Sequence, residues 1–158
     1  MDATRLPDHM DRLFRAAYAL CGTRHDAEDL VQETYARVLR RPRFVRRHGD
    51  LAYLLRALRN TWISLARAAT AVPMAPDSLE FVAEPGGDPA AGELDARAAY
   101  TAIFELSPPL RDAIVAVDVV GLSYKEAARA LEVRSGTVRS RLFRAREQVA
   151  GQLEAVSA

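Results

Sequence analysis

Arginines at 139, 141, 144 and 146 crowd the stretch "GTVRSRLFRAR", with Phe143 set among them. A guanidinium is a planar fork of donors that never loses its charge, so it suits the acceptor edge of a guanine or a phosphate oxygen. Helical rotation of about 100° per residue puts Val138, Leu142, Ala145 and Val149 on one stripe. Arg139, Ser140, Phe143 and Arg144 point the opposite way, and Arg141 and Arg146 lie on the flanks. Runs of charge are most often plain solvated helix surface. A phenyl ring on the wet face argues for more, because it adds no packing there, and the face is expected to meet something flat, polar and anionic.

A second constellation lies upstream. Residues 40 to 67 hold eight arginines against Asp50 alone, and within them "YLLRALRNTWISLAR" spaces Arg56, Arg59, Asn60 and Trp62. These combine charges that neutralise a phosphate backbone, an amide able to read a base edge, and a ring on which an unstacked base could stack for about 1–3 kcal/mol. A lone tryptophan would more often be core. With Arg46 and Arg47 in the neighbouring basic loop, the expected partner is single-stranded DNA. A third set, Asp29, Gln32 and Glu33, lies away from the apolar stripe of Leu30, Val31 and Tyr35. Helix-dipole charge explains Asp26 and Glu28 near a helix start, but explains Gln32 and Glu33 less well.

The elements that hold these residues are helical. Met10, Leu13, Phe14, Ala17 and Leu20 or Cys21 recur at helical spacing, with Gly22 placed to stop the helix. Thr23 with Asp26, or Asp26 with Asp29, caps a second helix with the stripe Ala27, Leu30, Val31, Tyr35 and Val38, and Pro42 marks its end. "DLAYLLRALRNTWISLARAA" reads as a third, completing a small bundle. Residues 71 to 95 collect proline, glycine, alanine and six acids without periodicity, which marks a linker. Beyond it, "LSYKEAARALEVRSGTVRSR" fits a helix-turn-helix. Ser123 and Glu126 form a capping box for a helix to about Leu131, Ala127 and Ala128 are small at the crossing, Val133 fills the turn, and Ser135 is placed to cap the next helix.

The whole chain is 158 residues with a net charge of +1, and its 49% hydrophobic and 27% charged composition is that of a folded protein. The small net charge hides two basic blocks separated by an acidic spacer, which points to nucleic acid at both ends. Cys21 is the sole cysteine, so no internal disulfide can form. With His25 it supplies only two candidate ligands, and no metal or cofactor is assigned. No Gly-rich phosphate loop and no Ser/His/Asp set suggests an enzyme. The first twenty residues, broken by charges, do not resemble a secretory leader, and the expected compartment is the cytoplasm.

Together these residues resemble the extracytoplasmic-function sigma factors, the minimal two-domain type of the sigma-70 family. "DAEDLVQETYARVLR" is similar to the region 2 helix that grips the clamp of core RNA polymerase, and the resemblance gives Asp29, Gln32 and Glu33 that role. "YLLRALRNTWISLAR" is similar to the segment that melts and reads the minus-ten element, which implies DNA contact by Arg46, Arg47, Tyr53, Arg56, Arg59, Asn60 and Trp62. "LSPPLRDAIVAVDVVGLSYKEAARALEVRSGTVRSRLFRAR" is similar to region 4, which reads the minus-thirty-five element, implying contact by Ser135, Thr137, Arg139, Ser140, Arg141, Phe143, Arg144 and Arg146. Arg139 and Arg144 suit guanine edges, Phe143 a thymine methyl, and Arg141 and Arg146 phosphates.

The expected fold is all-α: two small helical domains, a region 2 bundle over 1–70 and a region 4 helix-turn-helix over 96–158, joined by a flexible acidic linker over 71–95. Core RNA polymerase and promoter DNA are the implied partners, an anti-sigma factor is a further candidate, and no membrane insertion is expected. The alternative is a helix-turn-helix regulator that acts without polymerase. The 28 residues from 68 to 95 span about 30 Å as relaxed coil and about 90 Å at full stretch. Promoter elements two duplex turns apart are separated by about 70 Å. The free domains are therefore expected to sit too close together to span both elements.

Overall fold

The computed structural model describes residues 7–41, 49–70 and 91–158. Arg46 and Arg47 fall outside them, as does most of the expected linker. In the first module α1 (Met10–Cys21), α2 (Arg24–Arg40) and α3 (Asp50–Thr70) pack as a three-helix bundle. Gly22 ends α1 at φ 81°, its N–H returning to the Tyr18 carbonyl at 2.9 Å, a left-handed stop that glycine makes without strain. Thr23, not Asp26, caps α2: its hydroxyl accepts from the Asp26 N–H at 3.2 Å.

The second module comprises α4 (Ala91–Phe104), α5 (Pro108–Ile114), α6 (Tyr124–Leu131) and α7 (Ser135–Ser157). The helix of α4 begins at Ala91, so the last five residues expected in the linker are helical. Pro108 opens α5, where its fixed φ fits and its missing N–H would have had no helical partner. α5 widens without a break into a π-helical turn, Val115–Val119, where the Val120 N–H bonds back five residues to Val115 at 2.9 Å. Gly121, at φ 85°, then releases the chain toward α6.

The two modules are not separate bodies on a tether. One apolar cluster runs from Leu13, Leu54 and Leu58 of the bundle to Ile114, Val115, Val138 and Leu142 of the second module. Tyr18 of α1 meets Tyr100 of α4 edge to face, with centroids 5.1 Å apart, and α3 packs on α6. Burial raises the pKa of both phenols, with Arg97 opposing the shift at Tyr18 and Arg15 at Tyr100. Each fully buried Leu or Val contributes about 1.5–3 kcal/mol, so a core shared in this way holds the modules together.

Candidate nucleic-acid interface

The capping box forms as the residue types require. The Ser123 hydroxyl accepts from the Glu126 N–H at 3.2 Å, and the Glu126 carboxylate accepts from the Ser123 N–H at 2.8 Å. Ala127 and Ala128 are buried, α6 packs on α7, and Val133 packs against the core from the turn. Ser135 does not cap α7. Arg134 occupies the N-cap with extended backbone and no side-chain bond, and Ser135 is the first helical residue. A serine one place too late has already turned its backbone into the helix, so its hydroxyl no longer faces the free amides.

Val138, Leu142 and Ala145 are wholly inside, which fixes the rotation of α7. Arg139, Ser140, Phe143 and Arg144 are consequently exposed on the outer face, with Phe143 at 64%. Thr137 and Arg141 are half-buried beside them, and the Ser140 hydroxyl donates to the Thr137 carbonyl at 3.1 Å. The Arg139 guanidinium lies 5.5 Å from the centre of the Tyr124 ring, which steadies it before any ligand arrives. Arg146, expected to meet phosphate, has a partner within the protein. It forks onto Asp118 of the π turn, at 2.6 and 2.9 Å, and these bonds push its already high pKa higher. Arg146 ties α7 to its own module.

On α3, Tyr53, Arg56 and Asn60 share one side, Tyr53 half-buried and the other two exposed. Arg59 lies toward the second module, where its Nε donates to Asp112 of α5 at 2.7 Å, and Arg56 donates to Glu132 of the helix-turn-helix turn. Trp62 is not brought to this side. It is about 160° around the helix from Asn60 and in register with Leu65, Ala66 and Ala69. That stripe lines an open groove of about 810 Å³ against α2, whose contributions include Asp29, Leu30, Gln32, Glu33 and Ala36. The expected base-stacking partner thus sits with the acidic residues, and the spacing 62, 65, 66, 69 was the available signal.

The groove has an apolar floor and an acidic rim. Glu33 pairs with Arg37 at 2.8 Å and Asp29 approaches His25 at 3.4 Å, both one helical turn apart and solvent-exposed. Such pairs are worth only a few tenths of a kcal/mol, so a basic partner displaces them at little cost. Leu65 stays 42% exposed in the groove wall. Cys21 is buried at its edge, and burial pushes its thiol up to about 12, leaving a small inert side chain. Among the described residues no cluster of three or more metal-ligating side chains occurs, and no helix is long and apolar enough to cross a membrane.

Comparison with known proteins divides the chain along the same line. The family Sigma-70 region 2 matches residues 7–72, and Sigma-70, region 4 matches residues 96–149. The chain is 36% identical over 146 residues to the ECF RNA polymerase sigma factor SigE of Mycolicibacterium smegmatis, covering 89% of this chain and 57% of that one. It therefore spans somewhat over half the length of that relative. It is also 36% identical to the ECF RNA polymerase sigma factor SigM of Mycobacterium tuberculosis, covering 90% of this chain and 71% of that one. Among solved structures it resembles the sigma factor RpoE bound to the anti-sigma factor NepR from Bartonella quintana, with TM-score 0.73, 28% identity, and coverage of 96% and 92%. CnrH, solved with the cytosolic domain of CnrY, shares the fold at TM-score 0.70 and 23% identity, over 96% of this chain and 86% of that one.

Proposed function

We propose that this chain, which belongs to the extracytoplasmic-function sigma factors of the sigma-70 family, binds core RNA polymerase and directs promoter-specific initiation of transcription. It acts by recruitment and recognition rather than by catalysis, in the cytoplasm where polymerase and DNA are found. An anti-sigma protein is a natural further partner, since the Bartonella relative was solved with one.

The outer face of α7 enters the major groove at the minus-thirty-five element. Arg139 and Arg144 meet guanine edges, Phe143 meets a thymine methyl, and Ser135, Thr137, Ser140 and Arg141 complete the contacts to bases and phosphates. Tyr53, Arg56, Arg59 and Asn60 on α3 address the opened minus-ten strand together with Arg46 and Arg47. Polymerase takes the groove between α2 and α3, with Asp29, Gln32 and Glu33 as its polar rim and Trp62 and Leu65 as its apolar floor.

The groove is the observation that carries the function. A regulator acting on duplex DNA alone has no use for an acidic-rimmed apolar groove on the module that does not hold its helix-turn-helix. The test is Asp29→Arg with Glu33→Arg on the full chain. Retention on immobilised core polymerase is expected to be abolished while circular dichroism and duplex binding stay as in the parent. Parental retention by this double variant overturns the docking role.

A further inference from the structure

Glu132 is the one described residue other than glycine with a positive φ, at φ 57° and ψ 41°. It closes α6 and opens the turn into α7. A β-carbon is strained in that left-handed conformation, and glycine is the residue such a helix end selects. The strain has no local explanation in packing, because the side chain is exposed. It does have a distant one: the Glu132 carboxylate accepts from Arg56, 76 positions away on α3. A second carboxylate of the same module repeats the arrangement. Asp112 on α5 accepts from Arg59 on α3 at 2.7 Å, the two side chains only 14% and 27% exposed.

Arg56 and Arg59 are the two arginines of α3 assigned above to the DNA backbone. We propose that in the free protein Glu132 and Asp112 occupy the guanidinium groups that phosphates of the opened promoter strand occupy in the initiating complex. The second module is then an internal competitor of DNA. This rests on α3 being a DNA surface, as proposed above. Carboxylate and phosphate oxygens are interchangeable partners for a guanidinium fork, and one guanidinium edge cannot hold both at close range. The contacts lie across the module boundary, so parting the modules releases both arginines together. It also frees the turn that leads into α7, because Glu132 belongs to that turn. One movement thus uncovers the α3 surface, while the outer face of α7 is open already.

The test uses the full chain with Cys21→Ala and Ala150→Cys, a fluorophore on the exposed position 150 accepting energy from Trp62, the protein's single tryptophan. Glu132→Gly and Asp112→Asn are introduced singly and together. Binding of a 5′-labelled single-stranded DNA dodecamer is measured on the same variants without the fluorophore. Glu132→Gly is expected to melt no lower than its parent, because glycine suits the turn. Its energy transfer should nevertheless fall, and it should bind the dodecamer about threefold more tightly. The double variant should exceed either single one, and Glu132→Arg with Arg56→Glu should restore parental energy transfer. Unchanged transfer in the double variant overturns the proposal, and so does reduced transfer without tighter DNA binding. Neither measurement involves polymerase, so failure here leaves the sigma-factor assignment standing. Failure of the polymerase retention test likewise leaves these distances readable.

Discussion

Two arginine-bearing helices in this protein have similar compositions and opposite circumstances. On α7 the arginines that are tied down are tied within their own module, Arg146 to Asp118 and Arg139 over Tyr124, and the outer face stands open around Phe143. On α3 Arg56 and Arg59 are tied to the other module, and the aromatic ring has turned away into the groove against α2. Partners from the same module orient a surface for a ligand still to come. Partners from the other module take the ligand's place.

The contrast is broken most decisively at Trp62. Trp62→Ala should weaken retention on core polymerase by about 30-fold or more, as expected for an aromatic anchor in a groove, and leave single-stranded DNA affinity unchanged. Loss of DNA affinity with normal polymerase retention would put the ring back on the DNA side of α3. On α7 the expected effects are smaller and divide by contact type. Arg144→Ala should cost about 1–3 kcal/mol at one base pair, whereas Arg141→Ala should weaken all sequences alike and lower the salt slope by about 0.9. Duplex binding titrated at several salt concentrations against a panel of single-base variants separates them, and identical profiles would overturn the assignment of faces. Smallest is the tie beneath the surface: Asp118→Asn should lower stability by about 0.5–1 kcal/mol, read by thermal melting, with base preference intact.

The helices were legible because their signals are local. The Ser123 capping box, the Gly22 stop, the Thr23 cap and the inward stripe of Val138, Leu142 and Ala145 depend on residues at most two helical turns apart, and each is found as the spacing predicts. Serine suits a cap, so the sequence points to Ser135, and only the backbone shows that the helix starts a residue earlier than such a cap allows. Nearness in sequence groups Trp62 with Asn60, although residues two positions apart on a helix face nearly opposite ways. Arg56, Arg59 and Arg146 could be recognised as charges. Their partners Glu132, Asp112 and Asp118 lie 28 to 76 residues away, and no periodicity encodes which acid a distant arginine will meet. The shared core was hidden for the same reason: a polar linker announces a boundary between modules, and says nothing about whether they pack.

The turn at Val115–Val119 has a consequence for how the length of this chain can vary. A π turn is an α-helix that has taken in one residue more than its ladder requires, with the surplus absorbed as a local widening. Chain length can therefore change there without a change of fold, since loss of one residue would let the ladder close as ordinary α-helix. What would change is the wide turn itself. Because the surplus is absorbed there, the chain beyond it would keep its course, while the turn that presents Asp118 to Arg146 would be drawn in. The helix would survive such a deletion, and the tie from α7 to Asp118 is what it would put at stake.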